Sequence, residues 1–220
     1  MSTDLNDLLP VLIVLAIMLL VAFPVHEFAH ALAAYRLGDG TAKLFGRLTL
    51  DPRVHFDPVG GTLLILTMLL SGGFAFGWAK PTPVNPMNLH GGRQGDAIVA
   101  FAGPASNLVL ATAAAFPYRY IQATGMDMPL LATTLELFVA INIALMLFNL
   151  IPIPPLDGSH ILLALVDPQT SWRLKQTLEQ YGPMLLLALI FLPAIIGVPS
   201  PLGIVFRDIG GPIIRFLLGL

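Results

Sequence analysis

His26 and His30 stand four residues apart, in the pentapeptide His26-Glu27-Phe28-Ala29-His30. On an α-helix this spacing puts both imidazoles on one face, a turn apart. Two imidazoles so placed supply half of a tetrahedral zinc site, and a neighbouring carboxylate suits proton transfer from a water acidified by the metal. The chemistry available to such a set is hydrolysis. Glu27 points off the face shared by the histidines, so it is expected to act as general base rather than as a ligand. A catalytic zinc takes three protein ligands and keeps a position open. The third must come from elsewhere, and the chain has no cysteine. Asp157 is the leading candidate. It directly follows a proline-broken helix end, where an unpaired carboxylate is costly unless a metal relieves it. Glu136, inside the same apolar segment but well before its proline break, is the competitor. One Zn2+ per chain is the expected cofactor. His55, His90 and His160 read as loop or interface residues; His160, one turn past Asp157, is also a candidate to orient it.

The elements that must position these residues are membrane helices. Of the 220 residues, 56% are hydrophobic and 11% charged, against about 25% charged in soluble domains. A mean hydropathy of +0.81 places the chain in the integral-membrane class. Nineteen prolines and twenty glycines suit helices that are broken or kinked. A net charge of −2 gives no reason to expect nucleic acid as a partner. The absence of cysteine removes disulfides and thiolate metal sites. The first apolar run is preceded by Asp4 and Asp7 and by no basic residue, so it reads as a retained helix, not a signal peptide.

The expected fold is an all-α polytopic membrane protein with a three-helix catalytic core. Its core, residues 1–166, holds helices at about 8–35, 96–118 and 129–151. Between the first two, residues 41–90 read as a hairpin and re-entrant region. Thr41 to Leu50 has β-compatible residues around Gly46, which suggests a short β-hairpin. Residues 60–77, containing Gly72-Gly73, are apolar but ambiguous. Trp78 to Pro86 holds three prolines in six residues and takes an extended path. Pro24, ahead of His30, predicts a local kink. Residues 167–220 supply a polar, peripheral stretch to Gly182 and two apolar segments, 183–198 and 204–220, that span the membrane or lie in its interface.

The zinc reading constrains topology. His30 and Asp157 lie at the C-terminal ends of their helices and must reach one depth, so those helices run the same way, with 96–118 opposed. Residues 60–77 must then re-enter or stay peripheral. Arg36, Lys43, Arg47 and Arg53 follow the first helix, which puts that loop in the cytoplasm and the N-terminus outside. The expected setting is a prokaryotic plasma membrane, with the metal toward its cytoplasmic face.

Four motifs carry a resemblance. They are His26-Glu27-Phe28-Ala29-His30, Gly77-Trp78-Ala79-Lys80-Pro81-Thr82-Pro83-Val84-Asn85-Pro86, Gly103-Pro104-Ala105-Ser106-Asn107, and Asn149-Leu150-Ile151-Pro152-Ile153-Pro154-Pro155-Leu156-Asp157-Gly158. In order and spacing, from about residue 20 to 165, the chain resembles the site-2 proteases, intramembrane zinc metalloproteases. It looks like their compact form, without PDZ or CBS domain. The resemblance implies that His26, His30 and Asp157 bind zinc and that Glu27 is catalytic. It adds Asn149 as a substrate or oxyanion contact, and less directly Asn107 as a substrate contact. It implies cleavage in or near the transmembrane segment of a single-span membrane protein, within the lipid bilayer, after another protease has trimmed that substrate. The substrate is expected to lie as an added strand between a 41–50 strand edge and the extended segment at 80–86. A metal-binding transporter or channel built on broken helices is the alternative.

Overall fold

The computed structural model describes residues 5–71 and 77–220, and these are helical and irregular, with no strand among them. The first long helix comprises α1 (Leu5–Ile17), a π-helical turn (Met18–Ala22) and α2 (Phe23–Arg36). The interruption has a local cause. Pro24 has no N–H to return to the preceding turn, and the Phe23 N–H reaches back five residues to the Met18 carbonyl. The expected irregularity at Pro24 thus takes the form of a π-turn, and regular helix resumes before His26.

Two short helices follow, α3 (Thr41–Leu44) and α4 (Pro52–His55). The hairpin expected at 41–50 is not there. Asp39 lies two residues before Thr41 and accepts hydrogen bonds from its backbone N–H (3.0 Å) and its hydroxyl (2.5 Å). The Arg47 N–H closes on the Ala42 carbonyl at 2.8 Å, past Gly46 at φ 69°. Local capping therefore satisfies the backbone that a hairpin would have paired, and β-compatible composition is overridden.

Helix α5 (Pro58–Ser71) has 14 residues, about 21 Å, short of a bilayer's roughly 30 Å core. It packs through Leu64 and Met68 on Leu15 and Met18, with Ile141 and Leu145 against the same cluster. Gly72 and Gly73 lie outside the described residues. The chain is next seen where α5 began: Gly77 lies against the Gly60 carbonyl and Leu64, and the Lys80 N–H donates to the His55 carbonyl at 2.8 Å. From Gly77 to Asn85 it is extended, as its prolines dictate.

Helix α6 (Arg93–Thr124) is 32 residues long, and a four-residue turn leads into α7 (Pro129–Asn149), packed against it. Ala111, Ala115 and Tyr118 of α6 form one buried cluster with Val139, Ile143 and Met146 of α7. Helix α2 lies along the other side of α6, with His26 opposite Asn107 and His30 opposite Val99. Rising numbers on α2 meet falling numbers on α6, so these two are antiparallel. Helix α6 also opposes α7, so α2 and α7 run the same way.

Residues 150–157 are irregular, and α8 (Gly158–Leu165) follows. The polar stretch to Gly182 and the apolar one after it form a single helix, α9 (Pro168–Ile196), with Pro183 inside it. The expected division at Gly182 is therefore not a structural break. The last segment is α10 (Pro201–Val205), a second π-turn (Phe206–Gly210) and α11 (Gly211–Leu218). Leu218 packs into the α6–α7 cluster, joined by Ile213, Ile214 and Leu217. Among the described residues, four helical stretches are long and apolar enough to cross a membrane: Leu12–Arg36, α6, α7 and α9. Large side chains such as Phe116 and Ile195 stand exposed on them, as lipid contact requires. The fold is all-helical and polytopic.

Asp39 ties the loops together. Its carboxylate is fully buried and also accepts from the Asn85 N–H (2.7 Å) and the Asn88 amide (3.0 Å). Burial opposes its charge, but the hydrogen bonds from Thr41, Asn85 and Asn88 outweigh it and hold the carboxyl below the usual range. Asp39→Ala is expected to lower stability by about 2 kcal/mol or more, read as a lower unfolding temperature in detergent. The pH dependence has a fixed sign. A lowered native pKa gives stability that is complete above the unfolded value of about 3.9 and lost as pH falls through the native one. Asp39→Asn should remove that acid-side slope.

Candidate metal centre

Three side chains that could hold a metal meet where α2, α6 and the 150–157 turn come together. They are His26, His30 and Asp157, with one ligand atom from each lying within 4.8 Å of the others. The Nε2 atoms of the two histidines are 3.0 Å apart, and Asp157 Oδ2 is 3.2 Å from His26 Nε2 and 3.4 Å from His30 Nε2. Both imidazoles are buried.

Helix α6 sets the imidazoles. His26 Nδ1 is 2.7 Å from Asn107 Oδ1, and His30 Nδ1 is 2.7 Å from the Val99 carbonyl oxygen. Both partners accept, so both Nδ1 atoms are assigned the proton and both Nε2 atoms keep a lone pair. The Asn107 orientation is itself set by its amide nitrogen, which donates to Asn142 Oδ1 (3.0 Å), and Asn142 donates to the Phe138 carbonyl (2.9 Å). Val99, Gly103 and Asn107 recur every four residues and so share one face of α6. Gly103 is a close-approach position: a Cβ there would stand 2.3 Å from His30 Nε2 and 2.6 Å from His26 Cε1.

Asp157 arrives by a different route. The chain leaves α7 at Asn149, turns through Pro152, Pro154 and Pro155, and folds back on itself. A Cβ at Gly158 would stand 2.2 Å from the Leu150 carbonyl oxygen, so only glycine lets the turn close this tightly. The result is a carboxylate oxygen, Asp157 Oδ2, that is buried and without a hydrogen-bond partner. Two imidazole lone pairs and this oxygen face one another, an arrangement that repels unless a cation sits among them. Tetrahedral zinc with bonds of about 2.0 Å would space its ligand atoms about 3.3 Å apart, and the observed separations bracket that value. The residues fit the metal.

Glu27 lies outside the trio. Its Oε2 accepts from the Thr82 N–H at 2.8 Å, and its backbone carbonyl accepts from the Thr82 hydroxyl at 3.0 Å. Glu136, the rival ligand, is exposed on α7, six residues from Asn142 and about 9 Å along the helix, and it is not part of the cluster. Asn107 is fully buried with both ends of its amide engaged, so it holds His26 instead of facing a substrate. Asn149 donates its amide to the Leu145 carbonyl at 3.0 Å and caps no donor of the cluster. His160 pairs with Asp96 at 2.8 Å. The Asp96 carboxylate favours the imidazolium and, although burial opposes it, raises the His160 pKa. His55 is buried on the Thr49 carbonyl and His90 is exposed. Asn142, Thr82 and the Val99 carbonyl were not anticipated. Only Thr82 lies in a motif singled out in the sequence, and a backbone carbonyl leaves no signal there.

Among known proteins, the model of peptidase family M50 matches residues 117–193, which include Asp157 but not the 26–30 pentapeptide. A Bacillus subtilis (strain 168) protein named "Putative zinc metalloprotease YwhC" is 42% identical over 184 residues, covering 81% of this chain and 80% of its own. The chain belongs to peptidase family M50, the site-2 proteases. A Mycolicibacterium smegmatis relative, Rip2, also named as a zinc metalloprotease, is 31% identical over 184 residues, or 80% of this chain and 66% of its own. A Mycobacterium tuberculosis (strain ATCC 25618 / H37Rv) Rip2 is 31% identical over 192 residues. No solved structure matches the chain. This M50 protein is a metalloprotease whose cofactor is Zn2+, and the transporter alternative falls. Between the pentapeptide and α6 the described residues hold the end of α2, the helices α3, α4 and α5, the extended segment and a 3-10 turn at Pro86–Asn88, with no inserted PDZ domain.

Gly103→Ala tests the close approach. The added methyl would clash with His30, whose Nδ1 bond to the Val99 carbonyl resists its moving away, and is expected to cut zinc content severely while helicity is retained. Asn107→Leu is expected to weaken zinc affinity about 10- to 100-fold. Elemental analysis of purified protein and circular dichroism check both.

Proposed function

We propose that this protein is an intramembrane zinc endopeptidase that hydrolyses peptide bonds in or near transmembrane segments of membrane proteins. His26, His30 and Asp157 are the zinc ligands in this reading, and Glu27 is the general base. The observation that carries it is the convergence of the three donors at 3.0–3.4 Å inside a bundle of apolar helices.

When bound, zinc would supply Lewis acidity, acidifying a water and polarising the scissile carbonyl. The chain's own residues do the rest. Asn107 and the Val99 carbonyl hold the imidazoles as neutral donors, and the 150–157 turn delivers the carboxylate. Glu27 accepts the proton of the attacking water and passes it to the leaving amine. Extended backbone beside Glu27 comes from residues 80–86 and not from 41–50, so a substrate held in an extended form would run along that segment.

The substrate class is a single-span membrane protein already trimmed by another protease, as in regulated intramembrane proteolysis. The setting is the plasma membrane of a prokaryote. The basic residues between α2 and α5, with Lys80 and Arg93, put these loops in the cytoplasm and the N-terminus outside. Helix α5 and the return of the chain to Gly60 suit a segment that enters and leaves on that same side. Zinc then lies toward the cytoplasmic face, and Asn149 remains a candidate substrate contact.

Reconstitution with a labelled single-span substrate tests the activity. Wild type is expected to cleave it, while Glu27→Gln loses essentially all hydrolysis yet keeps its zinc, and chelation abolishes cleavage until zinc returns. Cleavage by Glu27→Gln at the wild-type rate would overturn the assignment. Because the chain has no cysteine, a single cysteine at position 124 reads orientation directly. Impermeant reagent is expected to label it from outside the cell, and labelling from the cytoplasm alone would reverse the topology.

A further inference from the structure

The segment from Lys80 to Pro86 is pinned at both ends. The Lys80 N–H donates to the His55 carbonyl at 2.8 Å, and the Asn85 N–H donates to the buried Asp39 carboxylate at 2.7 Å. Midway lies Thr82, flanked by Pro81 and Pro83. Neither proline has an N–H, so within 81–83 the backbone offers one donor, that of Thr82. Pro83 also biases Thr82 toward extended backbone. That single donor is aimed at Glu27 Oε2 (2.8 Å), and the Thr82 hydroxyl grips the Glu27 carbonyl at 3.0 Å.

His55 and Asp39 already hold the segment, so it does not depend on Thr82 for its path. What the two Thr82 bonds add is restraint on Glu27. A free glutamate side chain samples many rotamers, and fixing it costs conformational entropy. One oxygen is occupied by a donor, and among the described residues no hydrogen bond reaches Oε1.

We infer that Thr82 is a positioning residue for the general base. Its N–H fixes the Glu27 carboxylate through Oε2 and leaves Oε1 to accept the proton, while its hydroxyl holds the same glutamate at its backbone. The inference rests on Glu27 being the base, and it adds a residue that acts through Glu27 and not on the metal.

The test uses the full zinc-loaded chain in lipid. Thr82→Ser keeps both bonds and is expected to retain wild-type kcat within about twofold. Thr82→Val loses the hydroxyl alone and should lower kcat modestly. Thr82→Pro loses both donors and should lower kcat about tenfold or more, with KM within about twofold and zinc content unchanged. Should Thr82→Pro fail to fold, the α-hydroxy analogue of threonine at 82, introduced by nonsense suppression, replaces the N–H by oxygen without adding a ring. A second arm needs no turnover. In metal-free protein with 15N-labelled threonine, Glu27→Ala is expected to move the Thr82 amide proton upfield, while threonines far from the site hold their positions.

Wild-type kcat in the variant lacking the N–H, zinc loss in proportion to kcat, or a Thr82 resonance unmoved by Glu27→Ala would each overturn the inference. Those results leave the protease reading standing if Glu27→Gln is inactive. Hydrolysis by Glu27→Gln would bring down the reading itself.

Discussion

A buried carboxylate oxygen without a hydrogen-bond partner, facing two imidazole lone pairs, is the constraint on which the structure depends. Left alone, Asp157 Oδ2 would have only the two imidazoles, 3.2 and 3.4 Å away, to offset the desolvation cost of its charge. With a divalent cation among the three donors, the same arrangement becomes favourable. Folding and metal binding are therefore linked, since the pieces that bring residue 157 to residues 26 and 30 are held together more strongly when the donors share an ion.

Much of the architecture follows from that requirement. Helix α6 lies between α2 and α7 and serves both. One face carries Val99, Gly103 and Asn107: an acceptor for each imidazole and a gap where the rings approach. Through Asn107 the same face reaches Asn142, so α7 helps to set the orientation of His26. The prolines after Asn149 stop α7, and Gly158 lets the chain fold back far enough for Asp157 to reach α2. Membrane helices supply rigid elements here, and the bilayer's low polarity makes each of these hydrogen bonds hard to replace by water.

The loops on the same side of the bundle form a second system centred on Glu27. Asp39 gathers α3 and the extended segment, α4 holds that segment's other end, and Thr82 meets Glu27 between them. The donors come from long helices, but the group beside them is held by short irregular pieces. That division suits the chemistry. Ligand geometry must be invariant, whereas a substrate chain needs an approach that long packed helices would block.

The chemistry was legible in residue types and spacing. The His26–His30 interval is set by helical geometry, so a membrane-like run around it implies two ligands on one face before any tertiary contact is known. The proline-broken end before Asp157 was legible for the same local reason, and the directions of the three core helices followed from requiring His30 and Asp157 to reach one depth. Tertiary structure alone decided the rest. Composition around Gly46 favoured a strand, but a strand needs a partner, and Asp39 offered the backbone nearer ones. The polar stretch before Gly182 and the apolar one after it read as separate segments, because hydropathy cannot show that a helix continues through a change of surroundings. Asn142, the Val99 carbonyl and Thr82 act through contacts across 35 to 69 residues of sequence. Such contacts exist only once α2, α6, α7 and the 80–86 segment are packed, which is why local sequence pattern offered the candidate ligands but not the residues that aim them.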